Sequence, residues 1–195
     1  MSNEVELIGA IASDFIFDHA FRGENFYSVI MDVKRNSGKV DSIPLLVSER
    51  LVDVTKSLET VCVHIKGEFR SHNQHDENKS KLKLYVFTNS IELLEIEISN
   101  DVNDVFLEGH ICIQPIYRRT PRGREIADVM LAVNRSYNKS DYIPCILWGR
   151  NAYYVRDLSA GSSLRVAGRI QSREYVKNDE IKTAYELSVN LLELC

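Results

Sequence analysis

Residues 141–150 read DYIPCILWGR, and a hundred positions earlier residues 41–50 read DSIPLLVSER. In the later stretch Ile143, Cys145 and Leu147 alternate with Tyr142, Pro144, Ile146 and Trp148. A period of two marks a strand with one face toward a core. The apolar set claims that face, so Tyr142 and Trp148 point outward. In the earlier stretch Ile43, Leu45 and Val47 keep the inward places, while Ser42 and Ser48 stand where the aromatics are. One strand is written twice, with its inner face kept and its outer face changed.

The duplication extends outward from this strand. Val5, Leu7, Gly9 and Ile11 align with Val105, Leu107, Gly109 and Ile111, and Arg22-Gly23 with Arg122-Gly123. Val29, Val33, Arg35 and Asp41 align with Val129, Val133, Arg135 and Asp141, and about a third of the first 46 positions are identical. With one-residue adjustments Gly67 meets Gly168 and Ser71 meets Ser172. A period this long gives each copy its own core. The predicted domains are 1–98 and 104–195, joined through the polar stretch EISNDVND at Glu97 to Asp104.

Other segments of the second copy also alternate: Val129, Leu131 and Val133; Leu164, Val166, Gly168 and Ile170; and Thr183 through Leu191. A helix is predicted at about Asn151 to Leu158, closed by Ala160-Gly161, with a counterpart near Glu49 to Leu58. Five strands with one helix between the third and fourth is the order of an OB-fold, a five-stranded Greek-key barrel. The expected fold class is all-β, two tandem OB-folds with one short helix per repeat.

The chain has 195 residues, 44% hydrophobic and 27% charged, which excludes disorder and collagen-like structure. No apolar run spans a bilayer and Met1 to Glu6 shows no secretory signal, so no membrane partner and a cytoplasmic address are expected. Cys62, Cys112, Cys145 and Cys195 have no metal-ligand spacing and read as free thiols. The net charge of -4 is uneven. Residues 1–104 carry 11 Lys+Arg against 18 Asp+Glu, and residues 105–195 carry 13 against 10.

The segments LEGHI at Leu107, TPRG at Thr120, LAVNRSY at Leu131, DYIPCILWGR at Asp141 and AGSSLRVAGRIQSREY at Ala160 resemble the bacterial single-stranded DNA-binding protein family. The resemblance implies single-strand binding by base stacking, with Tyr137, Tyr142, Trp148 and Tyr175 on the stacking positions. It also implies four OB-folds per assembly, here a homodimer, and replication, recombination or repair as the setting. Family members normally end in an acidic tail that recruits replication and repair proteins. This sequence ends LLELC, so recruitment through such a tail is not expected. Primosomal replication protein N, which shares the fold, also lacks the tail.

Cations accompany the aromatics. Strand parity turns Arg165, Arg169 and Arg173 outward with Tyr175, while Arg118, Arg119, Arg122 and Arg124 are expected in the first hairpin loop. Together with Arg135 they form a candidate phosphate track, extended by Lys139, Arg150, Lys177 and Lys182. Outward aromatics also mark protein interfaces, Tyr175 also fits simple cross-strand packing, and hairpin arginines also occur as solvated loop. In the first copy the four aromatic positions become Ser37, Ser42, Ser48 and Gln74, and Arg165, Arg169 and Arg173 become His64, Glu68 and His72. That copy is expected to serve as a structural and oligomerisation module or to meet a protein partner.

No P-loop, dinucleotide fingerprint, H-E-x-x-H or G-x-S-x-G pattern occurs. Binding without catalysis, cofactor or metal is expected. The cluster His72, His75, Asp76 and Glu77 reads as a solvated hairpin tip. The leading expectation is sequence-independent binding of single-stranded DNA. The alternative is a primosome-type adaptor or protein-interaction module with weak nucleic-acid binding, and RNA stays open because stacking does not test for a 2'-hydroxyl.

Overall fold

The computed structural model describes residues 2–76, 79–95, 101–177 and 179–195. The side chains of residues 75, 76, 79, 80 and 177 fall outside that description. The first repeat contains β1 (Asn3–Ile11), β2 (Ile16–Phe21), β3 (Glu24–Lys34), β4 (Val40–Ser48), β5 (Cys62–Asp76) and β6 (Lys79–Leu93). The second contains β7 (Val102–Ile111), β8 (Ile116–Arg119), β9 (Glu125–Arg135), β10 (Lys139–Trp148), α1 (Arg150–Val155), β11 (Ser163–Lys177) and β12 (Glu180–Leu194).

Register shows how each repeat closes on itself. In the second, β9 pairs antiparallel with β7 and β10, β10 runs parallel to β12, and β11 pairs with both β12 and β7. The ring β7-β9-β10-β12-β11 is the five-stranded OB barrel. The first repeat repeats it with β1, β3, β4, β6 and β5. Closure requires strands to cross closely, which explains two of the aligned glycines: a Cβ on Gly109 would collide with the Ala132 carbonyl, and one on Gly168 with that of Ser188. The β11–β12 register also shifts at Ala167/Gly168. Inside lie Leu107, Leu131, Val133, Ile143, Leu147, Val166, Ile170 and Leu187, all buried.

Two expectations about elements are corrected. Each repeat carries a sixth, short strand, β2 or β8, hydrogen-bonded to β3 or β9, so Arg118 and Arg119 sit on a strand and only Arg122 and Arg124 remain in the turn. The helix expected near Glu49 to Leu58 is a series of turns. Its cause is local: the Asp53 carboxylate accepts from the Thr55 N–H at 3.2 Å and hydroxyl at 2.6 Å, and Val52, Val54 and Thr55 are β-branched. In the second repeat Ala152 and Val155 face the barrel and α1 forms, ending at Val155 rather than Leu158.

The chain separates into two compact units. One comprises Glu4–Phe69 and Leu84–Asp104; the other comprises Val105–Cys195 with Met1–Asn3 and Arg70–Lys83. The far part of the β5–β6 hairpin therefore groups with the second barrel.

Candidate nucleic-acid interface

Directly opposed residues on neighbouring strands share a face, so register defines rows across the outside of the second barrel. One row runs Ile116, Asp128, Ile146, Ser188 and Arg169 over β8, β9, β10, β12 and β11. The next contains Arg118, Ile126 and Trp148. On the other side Tyr142 lies opposite Ala132, Arg173 opposite Ala184, and Tyr175 opposite Lys182. Trp148 and Tyr142 are six residues apart on one strand, which places them about 20 Å from each other.

The aromatic side chains differ in how much surface they offer. Trp148 is 39% exposed and Tyr142 44%. Tyr175 is half-buried. Tyr137 is 93% exposed in the β9–β10 turn, where it and Asn138 take positive φ. Ile146, between Tyr142 and Trp148, is buried although its parity is outward. Two exposed tyrosines were missed by sequence reasoning: Tyr153 and Tyr154 on α1, with the Arg156 guanidinium 3.9 Å from the Tyr153 ring centroid. Inward Ala152 and Val155, three apart, were the signal that positions 153 and 154 face out.

The eight candidate arginines fall into distinct groups. Arg122, Arg124 and Arg173 are exposed and form no ion pair among the described residues. Arg118 forks onto Asp128 at 2.9–3.1 Å, Arg119 reaches Glu125 at 3.2 Å, and Arg165 reaches Glu108 at 3.2 Å. These pairs lie in solvent, where such bridges are weak and a phosphate competes with the carboxylate. Glu125 also accepts the Tyr117 hydroxyl at 2.8 Å; that bond, followed by Arg119, holds its carboxyl below the usual range. Arg169 donates to Gln171 at 3.3 Å, and Gln171 to Glu186 at 2.6 Å.

Arg135 meets a buried carboxylate. It lies 3.6 Å from the carboxylate of Asp141, which is 1% exposed. The first repeat has the same pair, Arg35 with buried Asp41, without any of the aromatics. The pair is thus present on both barrels, whatever their outer faces carry. Asp141 has a further partner: the Ser71 N–H donates to its Oδ1 at 2.9 Å, and the Tyr142 N–H donates to the Ser71 hydroxyl at 2.7 Å. The β5 segment from the first repeat thus holds the backbone that carries Tyr142.

Of the supplementary cations, Lys139 and Arg150 are exposed, Lys182 pairs with Glu180 at 2.9 Å, and the Lys177 side chain lies outside the described residues. His75, Asp76 and Glu77 of the hairpin cluster also lie outside that description, and no metal-ligand group occurs among the described residues. All four cysteines are free, and no described helix is long and apolar enough to cross a membrane.

Comparison with known proteins adds independent information. The model of the single-strand binding protein family matches residues 102–195. The chain is 38% identical over 95 residues to single-stranded DNA-binding protein 1 of Staphylococcus aureus (strain COL), covering 45% of this chain and 56% of that protein. It is 37% identical over 94 residues to single-stranded DNA-binding protein B of Bacillus subtilis (strain 168), covering 45% of this chain and 82% of that protein. The chain spans about half the length of the staphylococcal relatives. The crystal structure of the single-stranded DNA binding protein from Thermus aquaticus aligns with 100% of this chain and 93% of its own, with a TM-score of 0.77 and 19% identity. At that identity the likeness speaks for the fold alone.

Proposed function

The chain belongs to the single-strand binding protein family, and from that premise we propose that its second barrel binds single-stranded DNA without sequence preference. The observation that carries the reading is the outward exposure of Trp148 and Tyr142 on β10 of a barrel that also exposes Arg173 on β11. Stacking contributes about 1–3 kcal/mol per base and scarcely depends on base identity. Arg122, Arg124 and Arg173 take phosphates directly, and Arg118, Arg119 and Arg165 exchange a carboxylate for one. The relatives' names refer to single-stranded DNA, and the setting we propose for such binding is replication, recombination or repair.

The first barrel acts as a structural and oligomerisation module, and two chains assemble as a homodimer with four OB-folds. Sedimentation equilibrium at micromolar concentration reads this directly; a monomer mass refutes it. The binding test uses Trp148, the one tryptophan in the sequence. Oligo-dT quenches its fluorescence, duplex DNA does so weakly, and salt reverses the effect. A blue-shifted emission indifferent to oligo-dT refutes the reading, because the ring is then buried against protein.

A further inference from the structure

The first barrel lost the four aromatic positions of the second, yet its outer face is not bare. Register aligns His19 on β2 and Phe26 on β3 with Ser48 on β4, the row that contains Trp148 in the second barrel. His19 stacks on Phe26 with centroids 5.0 Å apart, and Phe26 meets Phe87 of β6 at 6.0 Å. Beside them β2 is exposed along its whole length, with Ile16 at 65%, Phe17 at 56% and Phe21 at 59%. Phe17 makes an edge contact with Tyr27 at 5.8 Å. The aromatic content has moved from β4 to β2, β3 and β6.

Ile16 and Phe21 lie on the face of the His19–Phe26 row and Phe17, opposite Tyr27, lies on the other, so this exposed strand is apolar on both of its sides and calls for a cover that wraps it. β2 pairs only with β3 among the described residues, so it is also an edge. The bulge between Phe17 and His19 interrupts a continuous ladder, so side chains and not added backbone hydrogen bonds make the contact.

Charge selects the occupant. The rows from Ile16 and His19 through Ser28, Leu46, Phe26, Ser48 and Phe87 contain no lysine or arginine. Asp14, Asp18, whose carboxylate meets the His19 ring at 2.6 Å, and Glu24 border the patch, against two arginines: Arg22, over the Phe21 ring at 5.3 Å, and Arg50, 3.5 Å from Glu24. Phosphates find no track here, unlike the face with Arg118 and Arg173. A second copy of this acidic face meets like charge. We propose that the β2–β3 edge of the first barrel docks a segment of a partner protein whose apolar side chains are flanked by lysine or arginine.

The test uses the full chain and a labelled nonapeptide with a Val/Phe core flanked by lysines, beside the same core flanked by glutamates. Anisotropy titration at low salt is expected to show saturable binding of the lysine peptide, at least tenfold weaker binding of the glutamate peptide, and at least tenfold loss in Phe17→Ser/Phe21→Ser. Ile16→Ser, also on the exposed strand, is expected to weaken the lysine peptide severalfold and keeps the test readable if the double variant misfolds. Oligo-dT affinity stays within twofold in these variants. Equal binding of the two peptides, or none, overturns the proposal. So does loss of oligo-dT affinity in the β2 variants, which assigns the face to nucleic acid, or a change in their sedimentation mass, which assigns it to a second copy. A wild-type chain that ignores oligo-dT but takes the lysine peptide sinks only the single-strand reading.

Discussion

Removing one hydroxyl from the first repeat is expected to weaken DNA binding by the second. Ser71 is 8% exposed, its hydroxyl accepts the Tyr142 N–H at 2.7 Å, and its own N–H donates to Asp141 at 2.9 Å. Ser71→Ala keeps the second bond and orphans the Tyr142 N–H. A buried unsatisfied donor costs about 1–3 kcal/mol, and Tyr142 at 44% exposure lets water offset part of it, so about 1 kcal/mol of stability is lost. The strand end carrying the ring then loosens. If half of a stacking contribution of about 2 kcal/mol goes with it, oligo-dT affinity falls about fivefold. The assay is a double-mutant cycle of Ser71→Ala with Tyr142→Ala, titrated with oligo-dT. If Ser71 acts through Tyr142, its removal changes little once the ring is gone. An equal loss in both backgrounds, or no loss in either, refutes the reasoning.

The other expectations are briefer. Arg135→Ala removes the cation beside the buried Asp141 carboxylate, which keeps the Ser71 N–H, and costs about 3 kcal/mol in urea unfolding, with a similar cost for Arg35→Ala beside Asp41. If Arg135 were a phosphate ligand, its loss would spare stability and weaken DNA binding. Arg173→Ala lowers the slope of log affinity against log salt by about 0.7, whereas Arg118→Ala lowers it less because Arg118 must first leave Asp128; equal slopes count against the grouping of the arginines. Burial pushes the Cys145 thiol far up, and burial raises Cys112 and Cys62 too, while Cys195 is exposed. A thiol reagent at pH 8 modifies Cys195 first and Cys145 only on unfolding; early modification of Cys145 contradicts the packing of β10.

Much of the fold was legible because the period of two and the paired glycines are imposed by the barrel itself. Gly9 and Gly109, like Gly67 and Gly168, stand where a Cβ meets a neighbouring strand's carbonyl, so they survive in both repeats. The first-repeat helix was misread because it was inferred by alignment with α1, while the Asp53–Thr55 bonds that prevent it are a local competition. Arg135 was placed on the candidate phosphate track, while its alignment with Arg35 also pointed to a pair shared by both repeats. Ser71 was not legible as a support for Tyr142. Their contact joins residues 71 apart in sequence, and no local pattern signals it. The β2 aromatics were overlooked because position-by-position comparison searched the first repeat only where the second has rings.

What the repeats share holds each barrel together, and what they do not share gives each its chemistry. A ring restored to the first barrel is therefore insufficient to restore binding. Ser48 aligns with Trp148, but it is 6% exposed, its hydroxyl donates to Glu24, and the Arg50 N–H donates to it at 3.1 Å. Its row is already filled by the stacked pair His19 and Phe26. In the row of Ser48, His19 stands where the second barrel has Arg118, and Glu68 aligns with Arg169, so an indole at position 48 has neither of those guanidinium groups. Ser48→Trp is expected to lose the hydroxyl's bonds and overpack the row, at a cost of about 1–3 kcal/mol. The number of nucleotides bound per chain, read by calorimetry with oligo-dT, stays unchanged. A larger occluded site with intact stability would mean that a lone aromatic suffices and that the cations of the second barrel are incidental.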